Sequence, residues 1–319
     1  MLQKPHCQVI AIEEHYYDRE LVKHFGTVEP NPAVVDRMFE FGERRIKEMD
    51  EAGIDIQVLS HGAPSAQRLS GDGALAITQG VNDRLAAVVA ARPDRFAAFG
   101  ALPTCDPKGA ADELERIVAK HGFKGAMIHG LANDMFVDDK RFWPIFERAH
   151  RLDVPIYLHP SIPHKAVMEA YYKDYVKDFP LVIRAAWGFT VETATQAIRM
   201  VLSGVFEAYP GLKIIIGHLG EMLPFQVWRI DQALSRPGQK SISFRDVFCG
   251  NFYITTSGNF SDPALMCCVQ EMGVDRILFA VDWPFIDNAL AAQWIASVPL
   301  CEEDRAKILS GNAKRLLHM

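Results

Sequence analysis

The chain has 319 residues, of which 49% are hydrophobic and 23% charged, a composition that excludes a disordered or fibrous protein. Its 34 basic and 40 acidic residues give a formal charge of −6 without a long run of either sign, so we expect neither nucleic acid nor a membrane as a partner. The six cysteines contain no C-x-x-C pair, and no apolar run is long enough for a signal peptide or a membrane span, which predicts a protein of the reducing cytoplasm.

Eight short apolar runs recur along the chain, and helix-period stretches lie between them. The runs are 9–15, 54–61, 96–103, 124–130, 155–160, 213–220, 252–258 and 277–284, and the clearest helical stretches are 73–93, 107–122, 140–152 and 191–210. The runs are too continuously apolar to have a wet face, which is typical of parallel strands covered on both sides. The alternation predicts an α/β protein, a single (β/α)8 TIM barrel over 1–319, with 16–42, 160–190 and 235–250 as loops over one mouth.

Polar residues stand where such a barrel places its catalytic groups, at the carboxyl ends of the strands. Six of the eight predicted strands end in a possible ligand or acid/base, and these residues are Glu13, Glu14, His15, His61, His129, His159, His218 and Asp282. Because the whole chain has only 11 histidines, scatter would rarely produce this pattern.

Four of these residues predict a metal site. Glu13 and His15 are two apart on a strand, so the alternation of the strand points both side chains to one place. On their own they would also fit a solvated strand end. His159 and Asp282 end two further strands and could complete a nitrogen and oxygen site for Zn, Mn or Fe.

A possible acid/base pair follows the sixth strand. His218 and Glu221 are three residues apart, so the carboxylate could fix the tautomer of the imidazole or share its proton; the alternative is a core histidine beside a helix-capping glutamate. Arg229, further along the next helix, could bind a substrate carboxylate or pair with a neighbouring acid. His61 and His129 could line the mouth, but no spacing assigns them a role.

At these residues the sequence resembles the metal-dependent decarboxylases of aromatic carboxylic acids in the amidohydrolase superfamily, the group of γ-resorcylate (2,6-dihydroxybenzoate) decarboxylase. The resemblance covers nearly the whole chain and rests on the blocks 12–15 (IEEH), 92–103, 157–160 (YLHP), 187–231, 251–260, 275–285 and 311–316. It implies a distorted (β/α)8 barrel, a homodimer or homotetramer, and one divalent ion, Mn or Zn before Mg or Fe. The residues it implies are the ligands Glu13, His15, His159 and Asp282, the acid/base pair His218 and Glu221, and Phe285 in an aromatic pocket wall.

The reaction that the resemblance implies is non-oxidative loss of CO2 from a hydroxybenzoate after protonation of the ring carbon. We expect Asp282 to donate the proton with help from His218 and Glu221, which requires weak metal ligation because a metal depresses the pKa of a carboxylate. Two alternatives stay open. The same site could activate water to hydrolyse a lactone, ester or amide, although E-x-H in place of H-x-H and the lack of a lysine placed to carry a bridging carbamate favour the decarboxylase. A barrel that only binds a ligand would not need the acid/base pair.

Overall fold

The predicted apolar runs form parallel strands in a computed structural model, which describes residues 6–25, 29, 31–238 and 240–319. The strands are β1 Ile10–Tyr16, β2 Ile56–His61, β3 Phe96–Ala98, β4 Gly100–Ala101, β5 Ala126–His129, β6 Ile156–His159, β7 Ile214–Ile216, β8 Phe252–Thr255 and β9 Ile277–Leu278. They pair in chain order, β1 to β3 in one sheet and β4 to β9 in another. Their residues are almost all buried, as the continuous apolar pattern predicts.

The third predicted run, 96–103, is divided into two strands. β3 pairs with β2, and β4 pairs with β5, so this run belongs to both sheets. The backbone N–H of Phe99 donates to Leu59 (2.9 Å), and that of Gly100 donates to Gly125 (3.0 Å), so hydrogen bonding passes from one sheet to the other. The division is therefore a distortion within one ring of strands.

The ring closes between β1 and the segment after β9. The N–H of Ile12 donates to the carbonyl of Phe279 (3.2 Å), and Glu14 forms a parallel bridge with Trp283. With the third run counted once, eight segments complete a distorted (β/α)8 barrel, as predicted.

Helical segments alternate with the strands along the chain. They are α1 Pro32–Met38, α2 Glu43–Ala52, α3 Ala74–Ala91, α4 Pro107–His121, α5 Trp143–Leu152, α6 Lys165–Val167, α7 Gly188–Ser203, α8 Val205–Ala208, α9 His218–Glu221, α10 Leu223–Leu234, α11 Phe244–Asn251, α12 Asp262–Met272, α13 Asn288–Ser297, α14 Glu302–Ala306 and α15 Asn312–Leu317. Short 3-10 or π-helical turns are Leu21–His24, Ser65–Arg68, Lys140–Phe142, Met168–Tyr172, Pro180–Ile183, Val274–Arg276 and Lys307–Gly311. The predicted helix 191–210 is broken at Gly204, whose φ of 88° ends α7.

The stretches predicted as loops differ from that prediction in two ways. They contain helices α1, α6 and α11, and only two of them border the mouth. The stretches 16–42 and 160–190 follow β1 and β6, and both supply walls of the cavity there. The stretch 235–250 precedes β8, so it lies at the opposite end of the barrel, because it enters a strand rather than leaves one. Residues 26–28, 30 and 239 of these stretches lie outside the described residues.

The barrel interior is filled by alternate strand residues. They are Ile10, Ile12, Val58, Ala97, Phe99, Met127, Tyr157, Ile215, Tyr253, Leu278 and Ala280, and three residues of α15, Ala313, Leu316 and Leu317, pack against them. A filled interior leaves the carboxyl ends of the strands as the place for polar groups. Among the described residues, no helix combines the length and apolar character needed to cross a membrane.

Candidate functional site

The four predicted metal ligands converge at the carboxyl ends of the strands. One ligand atom from each of Glu13, His15, His159 and Asp282 lies within 4.8 Å of the others. His15 Nε2 is 3.2 Å from Asp282 Oδ1, and His159 Nε2 is 3.3 Å from Glu13 Oε1. The mixture of imidazole and carboxylate donors suits a divalent ion such as Zn, Mn or Fe.

The hydrogen bonding of these atoms tests whether the residues fit an ion. Glu13 Oε1, His15 Nε2 and Asp282 Oδ1 are buried and make no hydrogen bond. Buried polar atoms without a partner are rare and costly in folded proteins. A cation bonded to the three atoms would satisfy all of them, so the residues fit one divalent ion.

The remaining atoms of the β1 ligands are held from outside the centre. Glu13 Oε2 accepts hydrogen bonds from the hydroxyls of Tyr157 and Thr255, the latter at 3.1 Å. His15 Nδ1 lies 3.3 Å from Ser60 Oγ. Contacts of this kind fix the orientation of metal ligands and tune their affinity.

His129, whose role the sequence left open, lies directly behind His159. Its Nδ1 is 3.0 Å from His159 Nδ1, and its Nε2 is 2.8 Å from the carbonyl oxygen of His61. A carbonyl only accepts, so His129 carries its proton on Nε2. The Nδ1–H of His159 lies 2.8 Å from the carbonyl oxygen of Pro160 as well as facing His129 Nδ1, so it has two acceptors. Burial lowers the pKa of His129 well below its usual value, which keeps the ring neutral. His159 is thereby left with an unprotonated Nε2 facing the centre.

The side chain of His61 is not part of the convergent group. Its Nδ1 donates to the carbonyl of Gly62 (2.7 Å), and its Nε2 accepts the backbone N–H of Asp18 (3.0 Å). Burial lowers the pKa of His61 to about 4, so the ring is neutral. Its contacts give it a part in holding the turn after β1.

His218 and Glu221 form a close pair beside the centre. Their Nδ1 and Oε1 atoms are 2.7 Å apart, and His218 Nε2 lies 3.9 Å from both Asp282 Oδ2 and Glu13 Oε1. Burial opposes charge on His218, but Glu221 and Glu13 outweigh it and hold its pKa well above the usual value. The two carboxylates therefore favour the protonated imidazole.

The backbone of this pair is not the helix start that its spacing suggests. His218, Leu219 and Glu221 have φ values of 52°, 55° and 49°, in the left-handed region. This turn, between β7 and α10, points both side chains toward Asp282 and the cavity. Two glycines in Gly217-His218-Leu219-Gly220-Glu221 are the sequence signal for such a turn.

Asp282 faces both His15 and His218. Burial opposes its ionisation, but the two neighbouring histidines outweigh burial and hold the pKa of Asp282 below its usual range. A side chain at Gly258 would begin 3.2 Å from His218 Cδ2 and 3.4 Å from Asp282 Oδ2. Gly258 therefore keeps the space between Asp282 and His218 open.

A cavity of about 1380 Å³ opens above the centre. His159, His218 and Asp282 line its inner end, and most of the remaining wall is apolar. Phe285 lies in this wall with its ring 5.8 Å from that of His15. An apolar cavity with polar groups at one end suits an aromatic ring that carries polar substituents.

Arg229 is not brought to this cavity. It is exposed and lines a separate groove between α7 and α10, whereas Pro224 and Phe225, earlier on α10, reach the cavity. The reason is the rise of the helix, because Arg229 lies four residues beyond Phe225 and five beyond Pro224, about 6 to 7.5 Å further along the axis and away from the barrel mouth.

Comparisons with known proteins agree with this geometry. The family model described as Amidohydrolase matches residues 6–319. The γ-resorcylate decarboxylase of Polaromonas sp. (strain JS666) is 39% identical, over 97% of this chain and 98% of that protein. The γ-resorcylate decarboxylase of Rhodococcus jostii (strain RHA1) is 36% identical with the same coverage of both chains.

Solved structures of similar proteins have the same fold as this chain. A crystal structure of a dihydroxybenzoic acid decarboxylase from Polaromonas sp. JS666, with bound manganese and the inhibitor 2-nitroresorcinol, superposes with a TM-score of 0.89 at 40% identity, covering 98% of this chain and 97% of the other. A 2,6-dihydroxybenzoate decarboxylase complexed with 2,6-dihydroxybenzoate gives the same score at 37% identity, covering 98% and 99%. The predicted barrel is confirmed, and the chain belongs to the amidohydrolase family.

Proposed function

We propose that this chain is a metal-dependent, non-oxidative decarboxylase of a hydroxylated aromatic carboxylic acid. The observation that carries the proposal is the convergence of Glu13, His15, His159 and Asp282 on unsatisfied buried atoms, beside the His218–Glu221 pair. The relatives named above are decarboxylases of this kind of acid, which favours decarboxylation over hydrolysis at the same centre.

A divalent ion bound here would act as a Lewis acid that stabilises negative charge on the phenolic oxygen of the substrate. Manganese is the ion we expect first, because a close structural neighbour binds it. Glu13, His15, His159 and Asp282 would hold the ion, and the open side of the cavity would admit the ring. Phe285 bounds that space and would restrict the ring to one plane.

Protonation of the ring carbon before CO2 leaves avoids an unstabilised aryl anion. His218 is the group that holds a proton at the site, since Glu221 and Glu13 raise its pKa. Asp282 Oδ2, 3.9 Å from His218 Nε2, would relay that proton to the ring carbon and remain the group nearest the substrate. General acid catalysis of this type contributes about 10²- to 10⁴-fold in rate.

The experiment that tests the function uses a substrate panel. Protein reconstituted with Mn²⁺ or Zn²⁺ is incubated with mono- and dihydroxybenzoates and with simple lactones and esters, while CO2 release and ring absorbance are followed. We expect CO2 from at least one hydroxybenzoate, and its loss in Asp282→Asn, which nearly preserves the shape of the side chain. Hydrolysis of a lactone or ester without any CO2 would refute the proposal.

Assembly is a separate part of the proposal. Large aromatic side chains are exposed on the segment after β6 and on α10, namely Tyr171, Tyr175, Phe179, Phe225 and Trp228. Extensive exposed apolar surface commonly marks an interface between subunits. We therefore expect a homodimer or homotetramer. Light scattering that finds only monomer at micromolar concentration would contradict this assembly. The cysteine usage separately favours the reducing cytoplasm as its location.

A further inference from the structure

Glu14 stands between two metal ligands but has no place in the centre described above. It is fully buried, and its carboxylate faces the segment after β9. Its Oε1 accepts the backbone N–H of Val281 (2.9 Å), and its Oε2 accepts that of Trp283 (3.3 Å). These are the peptide N–H groups on either side of Asp282. A single carboxylate thus bridges the segment that carries a ligand.

The bridged segment has a strained backbone. Asp282 has a φ of 75°, in a region that residues other than glycine rarely adopt. Such a conformation persists only when the surrounding structure holds it. The N–H of Asp282 itself donates to the carbonyl of Glu13 (3.1 Å). Two consecutive residues of β1 therefore bind all three successive N–H groups of 281–283.

Arg45, on α2, supports this arrangement from behind. The buried guanidinium lies 3.9 Å from the ring centroid of Trp283, and its Nη1 donates to the carbonyl of His15 (3.0 Å). Its Nε donates to Gln57 (2.7 Å), whose amide donates to Glu14 Oε2 (3.3 Å). Burial raises the pKa of Glu14 to about 8, while the N–H of Val281 and the charge of Arg45 act in the opposite direction and favour the carboxylate.

We propose that Glu14 is a positioning residue, which holds Asp282 in place at the metal centre through the N–H groups of Val281 and Trp283. It touches neither the ion nor the substrate. The proposal rests on the proposed function only for what Asp282 does to a substrate, because the geometry of the ion can be measured without turnover.

The test compares Glu14→Gln and Glu14→Asp with Glu48→Gln. The glutamine has the same shape, but its amide nitrogen faces one of the two N–H groups, and the aspartate keeps the charge but is too short to reach both. Glu48 is the matched control, because it accepts a hydrogen bond from the indole of Trp283 (2.8 Å) and none from the backbone of the segment. Each variant is stripped of metal, and Mn²⁺ affinity is measured by competition with a chromogenic chelator. The absorption spectrum of the Co²⁺-loaded protein reports the ligand geometry.

We expect both Glu14 variants to bind Mn²⁺ about 10- to 100-fold more weakly and to alter the cobalt spectrum, whereas Glu48→Gln stays within about twofold of the wild type. Thermal unfolding and circular dichroism identify folded protein. If Glu14→Gln does not fold, Glu14→Asp decides by the same readouts. A folded Glu14 variant with wild-type affinity and spectrum overturns the proposal. If the wild type binds metal but releases no CO2 from any hydroxybenzoate, the proposed function fails, while the affinities still decide the role of Glu14.

Discussion

The hydroxyl of Tyr157 gives a sharp test of how the chain holds its metal ion. It donates to Glu13 Oε2, the carboxylate oxygen that faces away from the centre, and lies 3.0 Å from Thr255 Oγ1. Tyr157→Phe removes one oxygen atom and leaves the buried ring in place. Glu13 Oε2 then keeps Thr255 as a donor at 3.1 Å and has lost the other.

The magnitude follows from the charge of the acceptor. A hydrogen bond to an ionised group contributes about 1.5–3 kcal/mol, and one tenfold change in affinity corresponds to about 1.4 kcal/mol. The metal-free protein loses the same hydrogen bond, and its freed carboxylate can relax. Only part of the lost energy therefore appears as weaker metal binding. We therefore expect metal affinity to fall by about 10- to 100-fold, the range usual for outer contacts of metal ligands.

Competition with a chelator of known affinity measures this change, and thermal unfolding of the metal-free protein shows whether the barrel is intact. Tyr253→Phe is the matched control, because Tyr253 is another tyrosine of the barrel interior whose ring contacts the guanidinium of Arg276 at 4.7 Å. An affinity for Tyr157→Phe within twofold of the wild type, in a folded protein, would refute the role of Glu13 as a ligand held by this hydroxyl.

Three further changes test the rest of the centre. Glu221→Gln removes the carboxylate that raises the pKa of His218. Because the protonated imidazole is lost as pH rises through its pKa, the alkaline limb of the kcat/KM profile should move to lower pH. An alkaline limb at the wild-type pH would contradict this role of Glu221. His129→Leu removes one of the two acceptors of the His159 Nδ1–H and leaves the carbonyl of Pro160, so it should weaken metal binding by up to about tenfold in the chelator assay; His129→Asn should be milder because it keeps an acceptor. Removal of the ion with a chelator should lower Tm. An ion at 100 times its Kd stabilises the folded protein by about 2.7 kcal/mol, which corresponds to about 4 °C for a chain of this length. A Tm that does not change on chelation would contradict a bound ion in the starting protein.

The ligand set could be predicted from sequence because it depends on strand ends alone. The carboxyl ends of parallel strands meet at one face of a barrel whatever the loops between them do. His159 ends β6, Glu13 and His15 lie within β1, and Asp282 comes four residues after the end of β9, so an approximate strand boundary is enough to bring them together.

The residues that orient the ligands cannot be predicted from the positions of the strand ends alone. Tyr157 shares a strand face with His159, so the alternation argument used for Glu13 and His15 could have found it. His129 faces His159 because β5 and β6 pair with those two residues in register, and register is not written in either strand alone. The sequence places Arg229 on the helix after β7, but it does not show that α10 rises away from the cavity, so that only its first residues reach it.

The first strand shows why the metal centre and the barrel depend on each other. Glu13, Glu14 and His15 are consecutive and all fully buried, in a strand that lies between β2 and the segment after β9. A buried charge is tolerated only where ligands or hydrogen bonds compensate it, and the alternation of the strand gives each face its own compensation. Glu13 and His15 turn to the ion, while Glu14 turns to the peptide N–H groups around Asp282. The same strand supplies two candidate ligands and holds the segment that carries a third. A substitution at Glu14, on the outer face of β1, should therefore change the metal affinity of the centre on its inner face.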